Sequence, residues 1–307
     1  TTWNESAYFF GNIPRHIFTN AAGAAAALDD IRAQLQMLPV EATTAMEPTM
    51  DVNDKLVMYN PSDAAEYTGS MISFKKGYIS DEVARKVFKK SVDEWSKLMR
   101  YTPSGNIFEA AVHEFIGAHP NALSAASMAH MPADGAPSTT KKAELANMWP
   151  VSASNAWDVV VLNPGQPVSL KSGSYYYPRV PNFPVVDSLV YKKKGKEHLL
   201  LCFQMTLADT HKPTTSAITN FVEEFEKTFT LNGKAAKIVC AKSGGGLQLK
   251  WGKTIESLRV SVVYITRDEV LKKYQNIDTS GGAGEEKMAK WLWAAVDQYW
   301  CDFPKDV

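Results

Sequence analysis

Four side chains combine the types and spacing that chemistry needs. Gln204 and Thr206 are two residues apart in the apolar run 199–207, which reads as a strand, so both project from one face. Asp187 lies on the preceding strand, residues 185–191, of an expected hairpin. Glu109 belongs to a predicted helix over 104–116 whose apolar stripe is Ile107, Phe108, Ala111, Val112, Phe115 and Ile116. At roughly 100° per residue it falls about 20° beyond the edge of that stripe. A carboxylate there could reach the rim of a sheet packed on the stripe. Glu109 and Asp187 together are candidate ligands for Mg²⁺, with Gln204 adding one neutral oxygen. Thr206 brings a hydroxyl but no positive charge. The plainer alternative is that Gln204 and Thr206 satisfy each other or nearby backbone inside a core strand.

Other candidate groups are basic. Lys192, Lys193, Lys194 and Lys196 crowd the hairpin turn, either as a solvated tip or as a phosphate-binding surface beside the polar site. His211, just past the second strand, is a further candidate contact to nucleic acid. Either one of these lysines or His211 would have to supply the cation that Thr206 lacks. Three familiar motifs fail. The run from Gly244 to Thr254 resembles a phosphate-binding loop, but Leu247 stands where the motif needs glycine. His113-Glu114 begins like a zinc-protease helix, but Gly117 occupies the place of the second histidine. No Gly-x-Ser-x-Gly elbow is present.

The elements that must position these groups are legible as periodic runs. An alanine-rich helix is expected over 21–38, a short strand at 56–59, and a helix from Ser80 to about Arg100 with Asp81 and Glu82 in its first turn. The break at 101–105 marks a domain boundary, with a mainly helical region over 1–100 and an α/β domain over 101–307. Residues 119–140 read as a loop with a short helix, 157–162 as a strand, and the Tyr- and Pro-rich stretch 171–184 as irregular. A helix over 213–229, strands at 237–241 and 258–265, a short helix at 268–274 and a Trp-rich helix over 285–300 complete the pattern. That helix, with Trp291, Trp293 and Trp300, either packs in the core or docks a partner. The order makes the class α/β, with α+β as the alternative.

Composition sets the outer limits. The 307 residues are 45% hydrophobic and 21% charged, a globular balance with material for a sizeable core. Lys and Arg total 33 and so do Asp and Glu, so nucleic-acid contact must come from a local patch. Cys202, Cys240 and Cys301 are too few and too widely spaced for a disulfide framework or a zinc site, and point to a reducing, intracellular compartment. No apolar run reaches the roughly 20 residues of a membrane span, and no signal peptide opens the chain. The absence of an initiator Met suggests a fragment or processed chain with an upstream domain removed.

A helix acid, a strand acid and a polar pair on the next strand resemble the site of metal-dependent nucleases of the restriction-endonuclease type. There, carboxylates hold Mg²⁺ and a lysine two residues past the last acid orients water. Here Gln204 replaces the acid and Thr206 the lysine. The run Tyr175-Tyr-Tyr-Pro-Arg-Val-Pro-Asn-Phe-Pro-Val-Val-Asp187 is distinctive. So is Leu201-Cys-Phe-Gln-Met-Thr206, with His211, Thr214-Thr215-Ser216 and the later Val262-Val-Tyr-Ile-Thr266. Together they resemble the C-terminal region of kinetoplastid (trypanosome) retrotransposon hot spot (RHS) proteins, a multigene family related to Crinkler-type ATPase–nuclease proteins. The opening Gly-Asn-Ile-Pro-Arg-His-Ile-Phe run, residues 11–18, resembles the end of that family's ATPase portion, with Arg15 in a lid-like element.

The resemblance implies a restriction-endonuclease-like core of a mixed sheet flanked by helices, preceded by a helical N-terminal region. It implies that Glu109, Asp187, Gln204 and Thr206 occupy the nuclease-like site. It implies a nuclear or perinuclear location, nucleic acid or chromatin, transcription and RNA-handling proteins as partners, an upstream ATPase domain in the full-length protein, and no membrane. The expected function is a nuclease-like module with a degenerate site that binds nucleic acid or such a partner. An active Mg²⁺-dependent nuclease and a pure assembly domain are the alternatives.

Overall fold

Runs of β-branched, aromatic and leucine residues, punctuated by Gly- and Lys-bearing turns, build most of the regular structure as strands. The computed structural model describes residues 21–37, 57–61, 70–74, 79, 82–83, 105–118, 128–133, 138–148, 157–163, 165–178, 183–208, 212–241, 246–266, 274–278 and 286–302. The elements begin with α1 (Ala21–Met37), β1 (Val57–Pro61), β2 (Ser70–Phe74), α2 (Gly105–Ala118), β3 (Ala129–Met131) and α3 (Thr139–Met148). They continue with β4 (Asp158–Leu162), β5 (Val168–Ser169), β6 (Ser174–Pro178), β7 (Ser188–Lys194), β8 (Glu197–Met205) and α4 (Thr215–Thr228). The described elements end with β9 (Phe229–Leu231), β10 (Lys234–Cys240), β11 (Leu247–Trp251), β12 (Thr254–Thr266), α5 (Glu286–Ala294) and β13 (Asp297–Asp302). The chain divides into two compact units, Thr1–Phe115 with Asp306–Val307, and Ile116–Lys305, the division falling inside α2.

In the first unit, α1 buries Ile31 and Leu35, and α2 buries Phe108, Val112 and Phe115, the stripe expected from their spacing. Strands β1 and β2 pair antiparallel, Val57 opposite Phe74 and Pro61 opposite Ser70. Of the helix expected from Ser80, only Glu82 and Val83 are described, and both are helical. The residues 11–18 and Arg15 lie outside the described residues, as do His211 and the start of the helix expected at 268–274.

The second unit carries a large mixed sheet. Its spine is β8, buried from His198 to Met205, lying between β7 (antiparallel) and β12 (parallel). A strand covered on both faces reads as a continuous apolar run, and Leu199-Leu-Leu-Cys-Phe203 is such a run. Beyond β7 come β6 and then β4 at the edge. The 13-residue β12 gives one edge to β8 over Ser257–Ile265. It divides the other between β11 (Thr254–Leu258) and β13 (Ser261–Thr266), so the sheet forks there. One branch continues through β10, β9 and β5, the other ends on β3.

Helix α4 starts at the N-cap Thr214, whose Oγ1 accepts from the Ala217 amide at 3.2 Å. Its Ile218, Phe221 and Phe225 stripe enters the main core with Tyr176, Leu200, Cys202, Val262 and Tyr264. Phe225 is fully buried and stands 4.8 Å, centroid to centroid, from Phe229. The three cysteines are free, and burial pushes the Cys202 thiol up to about 12, so it acts as a small hydrophobe. No helix among the described residues is long and apolar enough to cross a membrane.

Three local expectations are corrected. The stretch 171–184 holds β6, whose Tyr175 and Tyr176 are fully buried, because tyrosine serves a covered strand well. The Trp-rich segment is a helix only to Ala294 and then becomes β13, parallel to β12, with Trp293 buried and Trp300 against the core. Strand β3, and helix α3 extending to Met148, occupy part of what read as a loop and its end. Strands β3, β6 and β13 form where sheet neighbours from elsewhere in the chain override the local pattern.

Phe225→Ala should lower stability by about 3–5 kcal/mol through loss of a filled aromatic position. Urea unfolding followed by tryptophan fluorescence measures it, and a shift under 1 kcal/mol would contradict this core assignment.

Candidate functional site

The C-terminal end of β8 gathers the predicted polar residues of the second unit. Asp187 sits one residue before β7, and its backbone N–H donates to the Phe203 carbonyl at 2.8 Å, extending the hairpin pairing. Its Oδ2 accepts two hydrogen bonds, from Gln204 Nε2 at 2.8 Å and from the Met205 amide at 2.7 Å. A carboxylate only accepts, so the amide must turn its N–H₂ toward the acid. Gln204 and Thr206 are both buried. The Thr206 hydroxyl accepts from the Ala208 amide at 3.0 Å, and its own N–H donates to the Ile265 carbonyl at 3.0 Å. Gln204 thus pairs with Asp187, and Thr206 with backbone, rather than with each other. Two residues before the acid, Val185 adopts φ 70, a conformation costly for a β-branched side chain.

The donor set of this pair does not suit a shared Mg²⁺ as it stands. A cation bridging the two side chains needs an oxygen from each, whereas Gln204 presents nitrogen and neutralises part of the acid by hydrogen bonding. Glu109 belongs to the first unit, half-buried on α2, with its Oε1 4.0 Å from His113 Nε2.

The lysine cluster lies at the β7–β8 turn, far along the hairpin from Asp187. Lys192 lies five residues along β7 from Asp187, about 17 Å at the rise of an extended strand. That exceeds the reach of a lysine side chain, so none of Lys192, Lys193, Lys194 and Lys196 can supply the cation missing at Thr206. Lys192 is half-buried, and burial foremost, with the Lys194 charge, lowers its pKa.

Two features have no clear signal in the sequence. The first is Thr266, in the strand position next to Thr206 across the β8–β12 pairing. It is fully buried, and its Oγ1 has no hydrogen-bond partner among the described residues. The second is a chain of side chains at the opposite end of β8. Fully buried His198 meets the Tyr191 hydroxyl through Nδ1 at 2.7 Å and Glu256 Oε2 through Nε2 at 2.7 Å. The carboxylate accepts the proton on Nε2, and burial favours the neutral ring, in which Nδ1 accepts from the Tyr191 hydroxyl. Lys193 Nζ reaches Glu256 Oε2 at 3.2 Å and lies 5.6 Å from the Trp251 ring centroid. His198 and Glu256 are 58 residues apart, and only the parallel register of β8 and β12 unites them.

No protein-family model, no curated protein and no solved structure matches this chain. Function must therefore be argued from the geometry of these two polar groups.

Burial is the main cause lowering the His198 pKa below the usual 6.5, against the opposing hydrogen bond to Glu256. The bond from His198 is the main cause lowering Glu256 below the usual 4.5. As pH falls below 6.5 the unfolded chain takes up a proton that folded His198 refuses, so stability drops until the folded pKa is reached. Glu256 contributes stability that is present above 4.5 and lost as pH falls through its folded pKa. The thermal midpoint should therefore fall as pH is lowered from 7 to 5. His198→Gln should flatten this slope, leaving the part due to His130, whose pKa burial also lowers. An unchanged slope in that variant would show that His198 does not remain neutral.

Proposed function

We propose that this chain is a nucleic-acid-binding module on a nuclease-like α/β core whose former metal site has become a hydrogen-bonded clamp. The observation that carries the reading is the Gln204 side-chain amide donating to Asp187 at 2.8 Å. Two acids at that spacing would repel unless a cation joined them, whereas an amide and an acid satisfy each other without one. The β6–β7–β8 meander, followed by α4 and a return on β12 parallel to β8, supports a restriction-endonuclease-like core. So does the placement of Asp187 and Gln204 at the adjoining ends of neighbouring strands. The resemblance of residues 175–187 and 201–206 to RHS proteins supports a nuclear module that works beside an upstream ATPase and contacts nucleic acid or the proteins that handle it.

Binding of labelled RNA or DNA should persist in EDTA, without cleavage when millimolar Mg²⁺ or Mn²⁺ is added. Metal-dependent cleavage lost in Asp187→Ala would replace this reading with an active nuclease. Absence of any nucleic-acid binding, with a stable multimer by light scattering, would leave an assembly domain.

Gln204→Glu tests the clamp itself. It should cost about 2–3 kcal/mol in metal-free buffer, since a like charge replaces a buried hydrogen bond. Mn²⁺ should restore part of that loss, read as a rise in thermal midpoint that the parent chain does not show. A variant as stable as the parent without metal would sink the clamp.

A further inference from the structure

The end of the sheet opposite Asp187 collects three turns that lie far apart in the chain. The β7–β8 turn carries Lys194, Gly195 and Lys196, and the β11–β12 turn carries Gly252 and Lys253. The β9–β10 turn carries Asn232 and Gly233, with Lys234 next to it. Sheet order sets β8 against β12, β12 against β11 and β11 against β10, so the turns follow one another at about two strand spacings, roughly 10 Å. They form a row of about 20 Å. Gly195 (φ 64) and Gly252 (φ 55) open their turns in the left-handed conformation that tight hairpins require. Lys234 is laid across Gly252, where a Cβ would meet its Cδ at 2.6 Å, so the second and third turns share one basic surface.

Charge at this end is one-sided. Residues 192–197, 232–235 and 251–256 hold six lysines and two glutamates, in a chain that is neutral overall. Glu256 is occupied by His198 and Lys193, which leaves exposed Glu197 as the opposing acid. Lys194, Lys196, Lys234 and Lys253 are exposed and have no ion-pair partner among the described residues. Beneath them, the Tyr191–His198–Glu256–Lys193 chain fastens the β7–β8 hairpin to the β11–β12 hairpin. The backbone positions of the first two turns are thereby fixed relative to each other before a ligand arrives, which lowers the ordering cost of binding.

From this arrangement we infer that the three-turn row is the surface on which this protein holds a nucleic-acid backbone. The inference rests on the nucleic-acid-binding reading and locates it about 25 Å along β8 from the Asp187–Gln204 clamp. Trp251 and Tyr191 are buried, so the row offers cations without a stacking platform. It therefore reads phosphates and not base sequence. A lipid surface is disfavoured because Ile255 is the single large apolar side chain exposed on these turns.

The test uses the whole chain with fluorescein-labelled 20-nucleotide single-stranded and duplex probes of mixed sequence, followed by anisotropy from 50 to 200 mM KCl. Four phosphate contacts should give a log–log salt slope of about −3 to −4, a loss of about 100-fold across that range, with little dependence on sequence. Lys194→Gln, Lys196→Gln, Lys234→Gln and Lys253→Gln combined should weaken binding at least about 30-fold and reduce the slope to near zero. A charge-matched control, with Gln at Lys142, Lys171, Lys212 and Lys290, should stay within about threefold of the parent. The pairs Lys194→Gln/Lys196→Gln and Lys234→Gln/Lys253→Gln, each checked by thermal midpoint, give intermediate losses and stand in if the fourfold variant unfolds.

Parent-like binding by the row variants would overturn the inference and leave the binding reading standing, with its surface elsewhere. Failure of the parent to bind either probe at 50 mM KCl would overturn both. Tight binding to vesicles containing phosphatidylserine that the oligonucleotides do not displace would assign the row to a membrane surface instead.

Discussion

The parallel pairing of β8 with β12 is the constraint on which the rest of the second unit depends. It aligns Ser257 with Glu197 at one end and Ile265 with Met205 at the other. A parallel pair cannot close through a tight turn, so the intervening chain must leave the sheet and return. Helix α4 and strands β9 to β11 make that excursion. Helix α4 lays Ile218, Phe221 and Phe225 into the core that β8 and β12 share, which covers Leu199–Phe203 and the stretch from Val260 to Ile265, apolar there except for Ser261. Slipping this register by one residue would turn Gln204 and His198 to the other face and dissolve both polar groups together.

The same pairing fixes a division of labour along β8. Its C-terminal end is a closed polar junction in which Asp187, Gln204, Met205 and Thr206 satisfy one another or nearby backbone. Hydrogen bonds of this kind hold a junction in place but leave little affinity for a cation, because the acid is already engaged by donors. The N-terminal end is built differently. A buried neutral imidazole links a phenol to a carboxylate, the carboxylate holds one lysine inward, and other lysines point to solvent. The first end is closed by its own hydrogen bonds, and the second exposes positive charge. An overall charge of zero conceals that asymmetry because the acids lie elsewhere in the chain.

What the sequence determined by itself is whatever depends on local repetition. Helical spacing placed α1, α2 and α4 within a few residues of their observed ends, with Thr214 capping the last. The Lys- and Gly-bearing turn placed the β7–β8 hairpin, and two-residue periodicity put Gln204 and Thr206 on one face. Asp187 beside Gln204 was legible for the same reason, since a hairpin makes near neighbours of residues 17 apart. Tertiary structure alone decided the rest. Whether Tyr175 and Tyr176 form a strand, and whether the chain after Ala294 leaves the helix for β13, depended on partners contributed from elsewhere in the sheet. The distance of the lysine tip from Asp187, the joining of His198 to Glu256 and the gathering of Lys234 and Lys253 with Lys194 all follow from sheet order. That order is chosen by burial of apolar faces over separations at which a single sequence carries no periodic signal.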